Sequence, residues 1–304
     1  LLARRTHRIL DRHERAIVTL CPGPADADGW HKDLGELGGD FQLLAEEYEE
    51  DVPDTRRGAY VAVDTGVSMG MGSMEPARWV KKTKRAEDLE ERLLGNRILG
   101  NVAGWQSTLL CYAYPRIWLR ARHTMARLRQ RRPHVKFNFP GRTVYSSMTA
   151  NMGPQTVTLP HLDSLNYPGC PCAVTAWGHY NPDLGGHLYF PTLRIYIRFP
   201  PGCTVFLSSA ALRHGNIAVQ EGEIRYSVTQ YMSGGLVRWV QAKGRRVNQM
   251  LGEGERTRVD GAPGDNWKRQ MARFPTPATL ESQRESVRRQ ALKEKAKREE
   301  WKGR

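Results

Sequence analysis

The residues from 135 to 231 alternate between short apolar segments and turns, and this pattern constrains the fold more than any other feature of the chain. Within each segment apolar and polar residues alternate with period two, as they do in strands with one buried face. Glycine and proline separate the segments. Many short strands at this spacing predict a barrel or a sandwich. The predicted strands are 144–148, 156–161, 173–180, 193–199, 204–207, 215–219 and 224–231.

The rest of the chain has mostly helical patterns. Apolar residues recur at helical spacing in 4–20, 33–50, 84–100 and 109–132, and residues 60–64 predict one strand. The last residues, from 281 to 304, predict a charged helix or a disordered tail. We therefore divide the chain into a mostly helical N-terminal extension (1–104), a core with a preceding basic helix (105–240) and a basic C-terminal helical tail (241–304).

The charge of the chain is strongly positive and unevenly distributed. Lys and Arg total 46 against 32 Asp and Glu, which gives a net charge of +14. No acidic residue occurs between Glu91 and Asp163, whereas arginines are frequent there. A segment of one sign repels itself unless a polyanion or acidic parts of the fold compensate it. Nucleic acid is therefore the partner that the charge pattern favours.

The predicted helix at 109–132 carries much of this charge. Four of its arginines share roughly one stripe of the helix, which can follow a phosphate backbone. The alternative is a solvated outer face of a helix that packs on a sheet through its apolar residues. The residues that we predict to contact DNA are Arg116, Arg120, Arg127, Arg131, Arg132 and Lys136.

Two further features bear on where the chain works. No apolar run approaches the roughly 20 residues of a membrane helix, so we expect no membrane contact. The five cysteines are odd in number and irregularly spaced, which favours a reducing intracellular compartment. Together with a nucleic acid partner, this leads us to expect a nuclear protein that acts as a monomer.

The chemistry is indicated by three short motifs: His161-Leu162-Asp163, a later His214, and Arg225-Tyr226-Ser227. Two imidazoles and one carboxylate on one face of a metal form the facial arrangement of non-haem Fe(II) oxygenases. Residues two apart at a strand end point to the same side, as two ligands of one ion must. An arginine eleven positions after the second histidine can hold the far carboxylate of a keto acid through two charge-assisted hydrogen bonds. His187 is the competing second histidine, but only His214 is followed by the strand, turn and arginine.

In this ordered set of motifs the chain resembles the Fe(II)- and 2-oxoglutarate-dependent dioxygenases, over roughly residues 135 to 235. The resemblance implies an α+β fold with a double-stranded β-helix (jelly-roll or cupin-like) core flanked by helices. It implies that His161, Asp163 and His214 bind Fe(II), and that Arg225 and Ser227 hold the distal carboxylate of 2-oxoglutarate. Asn151 stands where some relatives place a polar 2-oxoglutarate ligand.

Within that superfamily the chain is most similar to the fungal branch of the TET/JBP family of nucleic acid base oxidases. The likeness lies in Thr149-Ala-Asn-Met-Gly153, Pro160-His-Leu-Asp163, Trp177-Gly-His-Tyr180 and Gly186-His-Leu-Tyr-Phe190. The family's animal members carry a cysteine-rich extension and a long low-complexity insert, and this sequence has neither. DNA recognition must therefore come from other elements, of which the basic region is the first candidate.

The resemblance implies that the chain uses O2 and 2-oxoglutarate to oxidise methylated bases in duplex DNA. The products would be 5-hydroxymethylcytosine and higher oxidation states from 5-methylcytosine, or the demethylated base from N6-methyladenine. A stacked methyl group cannot reach a recessed iron, so the base must be flipped out. The aromatic and imidazole candidates for stacking on it are Tyr167, Trp177, His179 and Tyr189. Two alternatives are a prolyl-hydroxylase-like protein oxygenase and a non-catalytic DNA-binding transposon accessory protein.

Overall fold

Two antiparallel β-sheets form the centre of the protein in its computed structural model, which describes residues 5–48, 60–70, 72–246, 249, 254, 259 and 266–302. One sheet has eight strands in the order β1-β2-β10-β7-β12-β5-β3-β4, and the other has four in the order β6-β11-β8-β9. The strands are β1 (His7–Leu10), β2 (Ala16–Cys21), β3 (Ala62–Ser68), β4 (Ala77–Arg78), β5 (Ser147–Asn151), β6 (Thr158–His161), β7 (Cys172–His179), β8 (Leu188–Phe190), β9 (Ile195–Ile197), β10 (Thr204–Leu207), β11 (His214–Asn216) and β12 (Ile224–Tyr231).

Helices cover one face of the larger sheet and connect its N-terminal strands to the rest. They are α1 (Ala27–Tyr48), α2 (Lys84–Gly95), α3 (Arg97–Ala113), α4 (Pro115–Arg131), α5 (Gly234–Gln241), α6 (Asn266–Met271) and α7 (Pro277–Lys302), with a short 3-10 helix at Pro191–Leu193. Among the described residues, no helix is both long enough and apolar enough to cross a membrane.

The two faces of the eight-stranded sheet have different neighbours because side chains alternate along each strand. We call the side toward the four-stranded sheet the inner face. Val205 and Leu207 of β10 point inward and pack with Leu188 and Phe190 of β8. On the outer face, Phe206 of β10 packs against α4 and the residues around it. The inner face therefore encloses a space between the sheets, and the outer face is a helix-packing surface.

A buried glutamine attaches α3 to the outer face. Gln106 Nε2 donates to Thr175 Oγ1 at 2.8 Å and to the Val228 carbonyl oxygen at 3.1 Å, and Gln106 Oε1 accepts from Gln230 Nε2 at 2.8 Å. These groups come from β7 and β12, the two strands at the centre of the sheet. Buried polar groups are tolerated when they are hydrogen-bonded in this way, so the network sets where α3 sits on the sheet.

The helix predicted at residues 4–20 is wrong. This segment forms the hairpin β1–β2, and β2 pairs antiparallel with β10, with Cys21 opposite Thr204. The pairing buries Ala16 and Val18. The few apolar residues of the segment fit either period, and tertiary pairing with an available sheet edge decided between them.

The other helices were predicted in place but with wrong boundaries. The helices expected at 84–100 and 109–132 are three helices that break at Asn96 and Tyr114. Asn96 caps α3, since its Oδ1 accepts from Leu99 N at 2.9 Å. Pro115 is the first residue of α4, a position where the N–H group that proline lacks would make no hydrogen bond within the helix. The helix predicted at 33–50 corresponds to α1, although residues 49 and 50 lie outside the described residues.

The strand predictions match best where both neighbours are strands. The predictions 204–207 and 224–231 coincide with β10 and β12, and 173–180 differs from β7 by one residue at each end. The prediction 193–199 is only partly confirmed, because Pro191–Leu193 forms a 3-10 helix and β9 covers Ile195–Ile197. The sheet also takes β1 to β4 from the predicted N-terminal extension, so it continues across the boundary drawn at residue 104.

The C-terminal helix α7 is attached to the helical layer. Arg284 lies over the Tyr112 ring at 3.8 Å and donates through Nε to the Tyr112 carbonyl oxygen at 3.0 Å. Farther along, Arg122 of α4 pairs with Glu294 at 2.5 Å. Gln283 and Val287 are buried against this layer. The tail predicted as a charged helix is therefore a helix that packs along α3 and α4.

Candidate metal centre and its cavity

Three side chains converge at one end of the four-stranded sheet. One ligand atom from each of His161, Asp163 and His214 lies within 4.8 Å of the other two. Strands β6 and β11 are antiparallel neighbours in which His161 stands opposite His214, and their ring centroids are 4.4 Å apart. Asp163 follows two residues after the end of β6. Strand register and the short H-x-D spacing therefore bring two imidazoles and a carboxylate to one point.

Both histidines are oriented by main-chain carbonyl groups. His161 Nδ1 lies 2.9 Å from the Leu159 oxygen, and His214 Nδ1 lies 2.9 Å from the Leu212 oxygen. A carbonyl only accepts, so each Nδ1 carries the proton and each Nε2 presents a lone pair. Metal-binding histidines are held in this way by a hydrogen bond from the other ring nitrogen.

The surroundings of the trio favour the protonation states that bind a metal. Burial lowers the pKa of His214, and the neighbouring His161 lowers it further. For Asp163, burial alone would raise the pKa, but interactions of the carboxylate with His161, His214 and Ser209 together hold it below its ordinary value. Neutral imidazoles beside an ionised carboxylate are the donor set of a divalent transition metal.

Other candidate ligands do not belong to this trio. His187 is half-buried and is not part of the trio, which supports the choice of His214 from the sequence. Burial raises the pKa of the Cys172 thiol to about 12, and its Sγ lies 2.8 Å from Ser209 Oγ. Among the residues that the structure describes, no other trio of His, Cys, Asp or Glu converges in this way.

The same cavity contains a buried guanidinium. Arg225 on β12 is 3% exposed, and its Nη1 donates to Thr156 Oγ1 at 2.7 Å and to the Thr156 carbonyl at 3.1 Å. The guanidinium lies 5.7 Å from the centre of the Phe199 ring. Its Nε is buried and has no hydrogen-bond partner among the described residues. A buried charge without an anion is costly, so this environment fits a ligand carboxylate.

Ser227 and Asn151 lie beside Arg225 on the inner face. They stand opposite each other in β12 and β5, and Asn151 Nδ2 donates to Ser227 Oγ at 3.0 Å. Both are buried and line the cavity that contains the metal trio. The structure thus brings all six predicted metal and 2-oxoglutarate residues to one cavity of about 440 Å³.

The far side of the cavity is formed by residues that the sequence analysis missed. Asp64 of β3, Tyr231 at the end of β12, and Trp79 after β4 all line it. The predicted strand at 60–64 ends in this carboxylate, but nothing in the local pattern indicates that β3 lies beside β5. Only the strand order of the larger sheet places Asp64 on the wall of the cavity that contains the metal trio.

The predicted DNA-contacting residues lie elsewhere. Helix α4 packs on the outer face of the eight-stranded sheet, through Ile117, Met125 and Leu128, whereas the metal trio is on the inner side. Arg116, Arg127, Arg131 and Lys136 are exposed, and Arg120 and Arg132 are half-buried. None of the six lines the cavity. A role in contacting DNA stays a prediction for them.

The C-terminal end of α4 comes closest to the cavity. Arg132 pairs with Glu75, and Arg78 Nη1 donates to the Lys136 carbonyl oxygen at 2.7 Å. Arg78 belongs to β4, which Trp79 follows directly. The basic residues at this end of α4 therefore adjoin the segment that forms the Asp64 side of the cavity.

The four side chains proposed for stacking on a base are not in the cavity. Trp177 points to the outer face and packs with Phe41 and Tyr226. Tyr167 is buried with its hydroxyl accepting from Arg273 Nη1 at 2.8 Å. Tyr189 stacks on Tyr196 at 5.7 Å, beside Gly215, and His179 lines a different groove. These residues were wrong as members of the cavity lining: strand alternation directs Trp177, His179 and Tyr189 away from it, and Tyr167 lies in the connection between β6 and β7.

Comparison with known proteins gives matches of structure only. No protein-family model matches the chain, and no curated protein matches it. A solved structure described as NgTET1 in complex with 5mC DNA matches with a TM-score of 0.53 and 12% identity, over 75% of this chain and 76% of that chain. An oxidoreductase of the 2OG-Fe(II) oxygenase family from Burkholderia pseudomallei matches at a TM-score of 0.33 and 16% identity, over 71% and 84%.

A third structure is a viral collagen prolyl hydroxylase from Paramecium Bursaria Chlorella virus-1 in a 2OG complex. It matches at a TM-score of 0.23 and 15% identity, over 29% of this chain and 59% of that chain. At these identities the first likeness shows the fold. The facing sheets are a double-stranded β-helix core flanked by helices, which confirms the α+β fold class predicted from the motifs.

Proposed function

We propose that this chain is an Fe(II)- and 2-oxoglutarate-dependent dioxygenase that oxidises methylated bases in duplex DNA. The observation that carries the proposal is the pairing, in one cavity, of the His161, Asp163 and His214 trio with the buried guanidinium of Arg225. A facial set of two imidazoles and a carboxylate suits Fe(II) and leaves positions open for other ligands. The buried guanidinium, whose Nε has no hydrogen-bond partner in the part of the chain that the structure describes, suits the distal carboxylate of 2-oxoglutarate.

Each residue of the cavity has a defined task in this proposal. His161, Asp163 and His214 would hold iron, which when bound supplies the activation of O2. Arg225 would bind the distal carboxylate through its fork of donors, with Nε as one of them. Ser227 and Asn151, already hydrogen-bonded to each other, would add hydroxyl and amide groups to the same end. Burial of this end excludes water from the charged contact, which strengthens it.

The proposed substrate rests on charge and on likeness. The chain carries a net charge of +14, and its acid-free segment supplies the exposed Lys136, which adjoins β4 on the Asp64 side of the cavity. The structural match with a TM-score above one half is to a protein in complex with 5mC DNA. A methyl group of a stacked base cannot reach the recessed trio, so the base must leave the duplex. The proposed reactions are oxidation of 5-methylcytosine and demethylation of N6-methyladenine. We also propose that the protein acts as a monomer in the nucleus.

The test is direct. The full chain is incubated with Fe(II), 2-oxoglutarate and duplexes that carry 5-methylcytosine or N6-methyladenine, and the nucleosides are identified by mass spectrometry. We expect 5-hydroxymethylcytosine or unmethylated adenine, together with equimolar succinate. Omission of 2-oxoglutarate and the variant His161→Ala should each abolish product, whereas the matched variant His187→Ala should keep it. Succinate without any base product would retain the dioxygenase and remove DNA as its substrate.

A further inference from the structure

The cavity has two chemically different ends on the same strand. Arg225 and Tyr231 of β12 both point to the inner face and line the cavity, and they are six residues apart. At the rise of a β-strand, six residues span roughly 20 Å. If Arg225 anchors the co-substrate, the end at Tyr231 is left for the substrate. Asp64 lies toward that second end, because strand register places it in one row with Thr149 and Thr229. The Tyr231 hydroxyl lies 3.4 Å from its Oδ1.

The Asp64 carboxylate is fixed in place by hydroxyl donors. Thr149 Oγ1 donates to the same Oδ1, and Asp64 and Thr149 are opposite each other in the β3–β5 pair. Lys81 Nζ donates to the main-chain oxygen of Asp64. A carboxylate offers about four acceptor positions and no donor. A half-buried, oriented carboxylate on a cavity wall is therefore an acceptor site for N–H groups of a ligand.

An aromatic side chain accompanies this acceptor. Trp79 is half-buried and lines the same end of the cavity. Planar bases stack on such side chains regardless of their sequence, whereas a carboxylate distinguishes them by the groups at their edges. The amino groups of cytosine and adenine donate to a carboxylate. Thymine presents a carbonyl oxygen at the corresponding position, so two acceptors would face each other.

We infer that Asp64 is the specificity-determining residue of the substrate end, where it accepts the exocyclic amino group of a cytosine- or adenine-type base and disfavours thymine-type bases. The inference rests on the proposed function and adds to it the residue that selects the base. 5-Methylcytosine keeps two amino hydrogens and N6-methyladenine keeps one, so both satisfy the carboxylate. A thymine-type base would leave the Asp64 carboxylate without its hydrogen bond, and the cost of that unpaired group rejects the wrong base.

The closing experiment is a competition between two duplexes that differ at one base. One carries 5-methylcytosine opposite guanine and the other carries thymine opposite adenine, because both bases have a methyl group on C5. The full chain is supplied with Fe(II) and 2-oxoglutarate, and 5-hydroxymethylcytosine and 5-hydroxymethyluracil are quantified. The variant Asp64→Asn keeps the size of the side chain and replaces acceptors by an amide that also donates. We expect it to lower the ratio of cytosine to thymine product by about ten- to hundredfold.

Two further variants distinguish recognition of the base by Asp64 from a purely structural role of this residue. Asp183→Asn makes the same chemical change in an exposed carboxylate that pairs with Arg198 outside the cavity, and it should leave the ratio unchanged. Tyr231→Phe removes a hydroxyl beside Asp64 but keeps the carboxylate, so it should lower the ratio much less than Asp64→Asn. A purely structural role for Asp64 would reduce both products equally, and an unchanged ratio in Asp64→Asn would overturn the inference while leaving base oxidation intact. A wild-type chain that oxidises neither base would overturn both.

Discussion

The two ends of the cavity differ in burial, in charge and in where their residues come from. The Arg225 end is almost fully enclosed and cationic, and its residues belong to the region 135–235. The Asp64 end is half-buried and anionic, and it includes β3 and the residue after β4 from the N-terminal part of the chain. A small co-substrate that is the same in every turnover can be enclosed completely. A base attached to a polymer needs an entrance.

The difference also explains which end was recognisable in the sequence. The order of the metal trio, Arg225 and Ser227 along the chain matches a known sequence motif. These residues lie on strands or directly after one. Asp64 belongs to a strand that joins the sheet from the other side of β5. A single carboxylate at the end of a predicted strand has no partner in the local pattern, so its proximity to the metal trio was not predictable.

We expect the largest effect from loss of a metal-trio residue, because the reaction at both ends of the cavity depends on the metal. His214→Ala removes one of three ligands, and we expect loss of detectable metal binding and of all product. Fe(II) binding by calorimetry under anaerobic conditions measures the first, and succinate measures the second. His187→Ala is the control, because His187 is outside the trio. Full activity in His214→Ala would show that the metal centre is not made of these residues.

The second-largest effect should distinguish the Arg225 end of the cavity from the Asp64 end, because it should change the KM of one substrate and not of the other. Arg225→Lys keeps the charge but loses the planar fork, and we expect the KM for 2-oxoglutarate to rise by about two orders of magnitude, since truncating one partner of a buried charge pair costs roughly 2 to 5 kcal/mol. The KM for the duplex should change little. Arg198→Lys, in an ion pair with Asp183, is the matched control. A rise in the KM for DNA alone would place Arg225 at the substrate end and contradict the division.

A smaller effect at the same end concerns the amide beside Ser227. Asn151→Ala removes the buried amide that we propose contacts 2-oxoglutarate beside Ser227. The loss of one such hydrogen bond costs about 1 kcal/mol, or roughly fivefold in the KM for 2-oxoglutarate. Asn101→Ala, on α3 where the side chain accepts from Arg142, serves as the comparison. Thermal unfolding of both variants shows whether stability has changed. Equal KM values in Asn151→Ala and the wild type would remove Asn151 from the co-substrate site.

The smallest effect concerns the entrance at the Asp64 end. Lys136→Gln should weaken duplex binding uniformly for methylated and unmethylated DNA and reduce the salt dependence by about one unit of slope, as the loss of one phosphate contact does. Arg116→Gln, near the start of α4, should have less effect because it is farther from the β4 segment. Fluorescence anisotropy at several salt concentrations measures both. Equal effects would mean that DNA follows the whole of α4.

Much of the core was predictable because the period-two alternation of its strands and the H-x-D spacing are local patterns. His161 and Asp163 share a direction at a strand end, and the strands β10 and β12 coincide with the predicted segments. The N-terminal hairpin was not predictable, since its apolar residues fit a helix as well as a strand until β2 pairs with β10. Helix α4 was predicted, but the face of the sheet on which it packs was not.

Residue types and spacing alone picked out the H-x-D motif, His214, Arg225 and the alternation of the strands, because a strand's side chains alternate wherever it lies. The tertiary structure alone decided that Asp64 adjoins the cavity and that α4 lies across the sheet from the metal trio. Strand order brings together segments that are far apart in the chain, and this order depends on which sheet edges are open to pairing. Local periodicity contains no information about that choice.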